Sequence, residues 1–460
     1  MRKCIRLLSL ILAAFMVFAL LAACGQKSET STGTVSTVDD QQTTKQEATA
    51  KPSEPVKLKF TSQIKATSPD CANLIKMAKE KLNVDLEFVD LGEKDYQDKL
   101  AINVLTGSSD IDLFYEVAPR FTKYVNSDVV IALDELAKQQ GVDLAGKFGN
   151  NIVKFNDKVY LLPNVKDVWM TLYNKKIFDD AGVPYPTAEG WTWSKYIETA
   201  KKLTNTEKGI WGSSMSIDWD SYKYMTAHQK GIADYKADGT SNFDDPNFAE
   251  ALKFLKDLSD VDKVQPDLLT YMSKKIPYDA FTSGKYAMSV NGGWTSTFVS
   301  DKKTYPRDWK YGILPMPYPD GGAPTSLSVI GGYAVTKNSK NPEMAFKVAE
   351  YFAENEFSFN PKRQPTRVDL SKDDLTKYVT DNFIKGFEDD GVTADDYINA
   401  WFSPNAKLVN EKVFGKGDAV INKLFIDEGQ LYMLGKKSLE DTMKTIKEKA
   451  DKAIADDSKK

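Results

Sequence analysis

The sequence predicts an α/β protein whose folded body divides into two lobes or two domains. Two observations carry this reading. From residue 56 onward, short alternating or wholly apolar stretches take turns with amphipathic ones, the β-α-β order that builds mainly parallel sheets. That body holds roughly 400 residues, more than one small core accommodates. In sheets of this kind ligands sit beyond the carboxyl ends of strands, which directs attention to the end of a strand predicted at 111–115.

The chain opens differently. Arg2, Lys3 and Arg6 give a positive start, Leu7 to Ala23 carry no charge, and Leu21-Ala22-Ala23 lead into Cys24. A basic start, an apolar run and small residues before a cleavage point describe a secretory signal. The cysteine makes it a lipoprotein signal, since its thiol can take a diacylglycerol thioether and become the first residue of the mature chain. The apolar run is short for a membrane span, which needs about 20 residues. One acyl chain binds a membrane only marginally, and two hold it. The alternatives are an uncleaved anchor helix and a soluble secreted product. Residues 1–23 are thus expected to be a signal peptide, and the mature protein to sit lipid-anchored on the extracellular face of the cell membrane. Residues 24–55 follow as the lipidated cysteine and a flexible linker. About one-third of 25–55 is Ser or Thr, too polar to offset its ordering entropy.

The body reads element by element. Val56–Phe60 alternates like a strand. Pro69–Leu82 is an amphipathic helix whose apolar face includes Cys71, a core thiol; the other cysteines, Cys4 and Cys24, precede the body, so no internal disulfide is possible. Val84–Val89 is a strand, Tyr96–Leu105 a helix ending at Gly107, Ile111–Tyr115 a buried strand and Asp134–Gln140 a helix. Asn174 and Lys175 open a helix that Gly182-Val-Pro184 ends, and Thr192 caps another running to Lys202. Lys223–Lys230 is helical. Asp234–Gly239 loosely resembles a calcium loop, but Lys236 stands where an oxygen ligand belongs. A tight turn between two strands fits better, with a helix opening at Asp245-Pro246. Gly284 stops a short helix, Lys285–Val290 is a strand, and Gly292-Gly293 allow close backbone approach or a positive φ. Ser438 caps the last helix, with Leu439, Met443, Ile446, Ala450 and Ile454 on one face.

Composition removes several function classes. The net charge is −4, and about −7 once the basic leader is gone, with no basic tract to follow a phosphate backbone; nucleic acid is not an expected partner. The single histidine, His228, would have to serve any Ser-His-Asp or Cys-His arrangement, and no nucleophile motif lies near it. Clustered His and Cys for zinc and a Walker-type loop are absent. The chain is therefore read as a non-enzyme with no catalytic residue, metal or cofactor, although counting does not exclude a pair of catalytic carboxylates.

Seven motifs, in a fixed order, carry a resemblance. They are Leu105-Thr-Gly-Ser-Ser-Asp110-Ile-Asp112-Leu-Phe-Tyr115, Asp157-Lys-Val-Tyr160-Leu-Leu-Pro163, and Leu172-Tyr173-Asn174-Lys175 through Phe178 to Ala181-Gly182-Val-Pro184 with Trp191-Thr192-Trp193-Ser194. Then come Phe281-Thr-Ser-Gly284-Lys-Tyr-Ala287-Met288, Asn291-Gly292-Gly293-Trp294, Gly331-Gly332-Tyr333 with Ser339-Lys340-Asn341, and the helix after Gly435-Lys-Lys-Ser438. Over most of 56–455 the chain resembles the extracellular solute-binding proteins (family 1) of sugar ABC importers, which include the maltose-binding proteins. It departs from them where Ile111 replaces a Pro and Asp157 a Gly. The resemblance implies a two-lobe, type II periplasmic-binding-protein-like fold. Lobe 1 would hold 56–166 plus 328–400, and lobe 2 would hold 167–327 plus 401–460. Crossing strands would lie near 165–170 and 326–333, with a third crossing later. It also implies a monomer that closes on a carbohydrate, an oligosaccharide, and delivers it to the transmembrane subunits of an ABC permease.

Sugars present flat C–H faces and a rim of hydroxyls, so a site needs aromatic plates beside carboxylates, amides or Arg. The chain is 11% aromatic with eight Trp, and three clusters plus one motif residue suit this chemistry. Tyr115 and Glu116 stand at a strand end with Arg120 one turn on. Asp167 and Trp169 precede the Tyr173 strand at the first crossing. Asp218-Trp219-Asp220 mixes acid and aromatic in one loop. Trp294 occupies the family's stacking position, and Tyr333 closes the Gly331-Gly332 motif. Trp401 is a further candidate, whereas Trp191 and Trp193 are assigned to packing. Any of these aromatics can instead be core, and Glu116, Arg120, Asp218 and Asp220 can instead be solvated charges. Two rival functions remain: the same fold holding a non-sugar solute, and a surface glycosidase with two carboxyls about 5–10 Å apart.

The leader makes a direct prediction. Mass spectrometry of the mature N-terminus should find a diacylated Cys24, and Cys24→Ala should abolish the modification. An unmodified Cys24 behind an intact leader would overturn it.

Overall fold

The structure, a computed structural model, describes residues 54–92, 95–108, 110–361 and 364–458; the leader and Cys24 lie outside the described residues. Among them, no helix is long and apolar enough to cross a membrane.

Eleven strands are described: β1 (Val56–Thr61), β2 (Val84–Phe88), β3 (Leu113–Val117), β4 (Lys154–Phe155), β5 (Lys158–Val159), β6 (Leu162–Asn174), β7 (Trp211–Ser214), β8 (Tyr286–Gly292), β9 (Tyr311–Pro315), β10 (Thr325–Val335) and β11 (Lys407–Asn410). They order as β2-β1-β3-β10-β6-β8-β7, with β11 beside β10, β9 beside β6, and β4-β5 as a separate pair. β6 and β10 are the long strands, and each belongs to both lobes. Gly331 to Val335 pair with β3, and Ser328 to Tyr333 pair with Leu162 to Val168. Trp169 to Tyr173 then pair with β8 and Met170 to Asn174 with β9. The crossings expected near 165–170 and 326–333 are these two strands. The mainly parallel order expected holds for β1–β2, β1–β3, β7–β8 and β10–β11. β6 runs antiparallel to β8, β9 and β10, and β10 runs antiparallel to β3 and β6.

The punctuation of the sequence acts as its chemistry suggests. Ser68, Asn174, Thr192, Asp245 and Ser438 each accept a backbone N–H at the start of the helix they precede. Gly182 ends the helix Lys175–Ala181 at φ 64°, a left-handed conformation open to glycine. Asp112, from the first motif, accepts from Lys59 N at 2.7 Å and from Ser339 Oγ at 2.5 Å, so it fastens β1 to the loop after β10.

Helix Pro69–Leu82 and helix Pro342–Phe359 cover the first sheet, burying Cys71, Leu74, Phe346, Val348 and Phe352 against Leu58, Leu113 and Tyr333. Helices Trp193–Leu203, Asp220–Gln229, Pro246–Asp260, Asp418–Met433 and Leu439–Asp457 share the core of the second lobe, where Met443, Ile446, Ala450 and Ile454 supply the predicted face. Trp191 and Trp193 are buried there, as packing requires.

Two expectations change. Asp234–Gly239 forms its tight turn, but the flanking strands reduce to one isolated pairing of Tyr235 with Ser241. His228 holds that turn: its Nε2 meets Asp234 Oδ1 at 2.8 Å and its Nδ1 meets Asn410 O at 2.9 Å. Burial lowers the imidazole pKa, and the Asp234 charge with these hydrogen bonds outweighs it, so the net shift is upward. The histidine is thus spent on structure. The segment 372–400, grouped with the first lobe from sequence, packs its Tyr378, Val379, Phe383 and Tyr397, together with Trp401, against Val168, Met170, Leu172 and Tyr311 of the second. Its aromatic density needs an apolar surface, and the outward faces of β6 and β9 supply one.

Arg307 and Asp390 pin that segment. The guanidinium donates to the carboxylate at 2.7 and 2.6 Å and to Val299 O at 2.9 Å, with both side chains 2% exposed. Lys175 Nζ donates to Asp390 O at 2.6 Å. Removing one partner of such a pair leaves the other charge buried, at a cost of about 3–5 kcal/mol. Asp390→Ala should lose that much in denaturant unfolding; a loss under about 1 kcal/mol would mean the segment is held by apolar packing alone.

Candidate functional site

The polar ends of β1 and β3, the crossing of β6 with β10 and the loops of the second lobe surround one cavity of about 940 Å³. Of the side chains singled out from sequence, Tyr115, Arg120, Asp167, Asp218, Trp219, Asp220 and Trp294 line it. Its position beyond the carboxyl ends of β1 and β3 is where such sheets place ligands.

Each lining group is held by local structure. Tyr115, on β3, lies across β10 at Gly331. A Cβ there would stand 2.1 Å from the phenol oxygen, so only glycine admits the ring. Arg120 projects, exposed, from the turn Ala118–Arg120. Asp167 pairs in register with Val329, and both line the cavity. Trp294 follows two glycines needed for close approach rather than for a positive φ. A Cβ on Gly292 would fall 1.7 Å from the Trp294 ring, and one on Gly293 1.8 Å from the Trp401 indole nitrogen.

The loop carrying Asp218 and Trp219 is fixed from beneath. Lys223, fully buried, donates to Ile217 O at 3.0 Å and to Trp219 O at 2.9 Å. Burial pushes its ammonium pKa down to about 8. Asp218 Oδ1 is buried and accepts no hydrogen bond from the described residues. Asp220 is paired: Lys412 Nζ reaches it at 2.5 Å and Glu411 at 3.4 Å, and Ser221 Oγ donates to Glu411 at 2.9 Å. Burial alone would raise the Asp220 pKa, but the Lys412 charge and hydrogen bond bring it below the ordinary value.

Four candidates stand behind the cavity wall instead. Trp169 is fully buried, edge-on to Trp294 at 6.3 Å and 90° and to Tyr222 at 4.8 Å. Tyr333 is fully buried and donates to Glu356 at 2.9 Å. Trp401 is fully buried against Phe383. Glu116 is fully buried because side chains alternate along a strand, so the neighbours of Tyr115 and Val117 point to the other face. These are packing residues. The sequence reading missed Gln63, Asp70, Tyr278, Glu411, Lys412 and Gln430, which also line the cavity. They come from five separate stretches with no local motif.

Five carboxylates and two cations line the cavity, and one of the cations, Lys412, is engaged with acids. Trp219 lies between Trp294 and Tyr278, at 6.1 Å and 25° from one and 6.2 Å and 32° from the other. The arrangement offers aromatic faces beside hydrogen-bond acceptors. It suits a ligand with apolar patches and hydroxyl donors, and it opposes an anion.

A family model described as bacterial extracellular solute-binding protein matches residues 65–357, and the chain belongs to that family. An ABC substrate-binding protein of Listeria monocytogenes in complex with cycloalternan has the same two-lobe fold. It is 22% identical, covers 87% of this chain and 99% of its own, and has a TM-score of 0.73. A sugar transporter of Rhizobium etli in an open conformation is 26% identical, covers 85% and 98%, and has a TM-score of 0.68. Maltose- and maltodextrin-binding proteins are among the other structural neighbours. A Brucella abortus protein named as a binding protein is 28% identical over 203 residues, 44% of this chain. The chain spans about half the length of the curated relatives it matches.

Glu116 separates a structural role from a binding one. Its Oε1 accepts from Val117 N at 2.8 Å, while Oε2 and the adjoining Gln97 Oε1 are buried acceptors without a donor. A proton on Glu116 satisfies both. Burial, against the opposing charges of Arg120 and Lys123, raises its pKa above the ordinary 4.5. Its stabilisation is therefore present below about pH 4.5 and lost as pH rises through the raised value. Glu116→Gln, which carries its own donor, should raise the melting temperature at pH 7 by on the order of 2 °C and not at pH 4, with ligand affinity unchanged. A fall at pH 7 would show that ionised Glu116 is needed.

Proposed function

We propose that this protein captures an oligosaccharide in the cavity between its lobes and hands it to an ABC permease, acting as a monomer without chemistry of its own. The observation that carries the reading is the row of Trp294, Trp219 and Tyr278 set beside Asp167, Asp218 and Glu411 in one cavity at the crossing strands. Stacking on the rings and hydrogen bonding to the carboxylates answer the two faces of a sugar. The cycloalternan complex of the Listeria relative and the sugar transporter of Rhizobium point to the same cargo class. The lobes turn about β6 and β10, closing over the ligand like a hinged clamp. A diacylglycerol on Cys24 holds the protein at the outer face of the cell membrane, and the Ser/Thr-rich linker lets the body reach the permease.

A thermal-shift screen against mono- and oligosaccharides, with amino acids and polyamines as controls, tests the cargo class. A ligand at 100 times its dissociation constant adds about 2.7 kcal/mol of stability. With the best ligand, Trp294→Ala should weaken binding at least tenfold in calorimetric titration, a loss of about 1.4 kcal/mol or more. The unliganded fold should survive with a modest fall in melting temperature, because the ring borders the cavity while one edge covers Trp169. Saturating ligand should also make the particle more compact in small-angle scattering. Stabilisation by an amino acid or polyamine and by no sugar would reassign the cargo, and turnover of the oligosaccharide would make the protein a glycosidase.

A further inference from the structure

Tyr278 was not singled out from sequence, and its setting is unusual. Most aromatic pairs in the second lobe meet edge to face, as those in a packed core do. Trp294, Trp219 and Tyr278 instead form a run at shallower angles, 25° and 32°, with centroid steps of 6.1 and 6.2 Å, and all three border the cavity. Each end of the run is braced edge-on from outside it. Trp169 meets Trp294 at 90°, and Phe298 meets Tyr278 at 68° and 5.6 Å, with Tyr305 behind Phe298 at 5.4 Å. Such edge-on bracing restrains the planes of the rings.

The loop that carries Tyr278 is also fixed. Ile276 packs against both core clusters of the second lobe, and its N–H donates to Tyr271 O at 3.0 Å. Ala280 N donates to Pro277 O at 3.0 Å. Tyr278 is nonetheless 46% exposed, a large aromatic kept at the rim by a rigid loop. Leaving it there forgoes apolar burial, at about 25 cal/mol per Å².

We infer that Tyr278 is the outermost of three stacking plates and sets ligand length, so that the site takes chains of three or more pyranose units. The inference rests on the carbohydrate reading above. Trp294 and Trp219 serve the inner units, and Tyr278 receives the third. The acidic lining makes that chain uncharged or cationic, not a uronate or a phosphorylated sugar.

Calorimetric titration with the di-, tri- and tetrasaccharides of the malto-, cello- and manno-series tests this. In the series that binds, the wild type should hold the tri- and tetrasaccharide at least tenfold tighter than the disaccharide. Tyr278→Ala should erase that gain by weakening the tri- and tetrasaccharide far more than the disaccharide, and Tyr278→Phe should keep it. Trp294→Ala should weaken every length. Equal loss for di- and trisaccharide in Tyr278→Ala, or no loss at all, would overturn the role of Tyr278 and leave the carbohydrate reading standing. No binding of any chain by the wild type would overturn the carbohydrate reading, and this inference with it.

Discussion

The antiparallel ladder of β6 with β10 is shared by both lobes, and the rest of the molecule is arranged around it. Leu162 faces Tyr333 at one end and Val168 faces Ser328 at the other, with a register shift between Gly331 and Gly332. On one side of that ladder β10 pairs with β3 of the first sheet, and on the other β6 pairs with β8 and β9 while the start of β10 pairs with β11. Close approach makes it possible. A Cβ on Gly332 would lie 2.2 Å from Leu162 O, so a larger residue would force the crossing strands apart. The adjacent Gly331 makes room for Tyr115. One pair of glycines therefore serves both the joint between lobes and a wall of the cavity.

Rigidity behind the cavity follows from where charge is buried. Lys223 has given up its water for two backbone carbonyls, and Gly429 on a neighbouring helix leaves space for its stem. Removing that ammonium would orphan the carbonyls beneath Asp218 and Trp219. Lys412 joins Asp220 and Glu411 across loops 190 residues apart in sequence. Pairs of this kind add little net stability, since desolvation offsets attraction, but they fix geometry. The side chains that meet a ligand are thus pre-set, and less ordering cost falls on binding.

The aromatic residues divide by geometry rather than by type. Trp169, Trp191, Trp193 and Trp401 are buried, while Trp219 and Trp294 border the cavity. Immediate neighbours do not sort them: Trp191, Trp193 and Trp294 all sit among Gly, Thr and Ser, yet of these Trp294 alone borders the cavity. Strand alternation explains why Tyr115 reaches the cavity and Glu116 does not, and that much was available from the period of two. The burial of Trp169 was less accessible, because it depends on Trp294 arriving from the turn after β8 to cover it.

Local chemistry determined the elements. Caps at Ser68, Asn174, Thr192, Asp245 and Ser438, the stop at Gly182 and the alternation of β1 each act within a few residues, so one sequence suffices to read them. The order of motifs determined the family in the same way, since each motif is a short backbone requirement. What only the tertiary structure decided was membership of the cavity. Gln63, Asp70, Tyr278, Glu411, Lys412 and Gln430 meet there through the crossing of β6 with β10 and the packing of 372–402 onto the second lobe. Their convergence depends on contacts between residues hundreds of positions apart, and no spacing along the chain encodes such a contact.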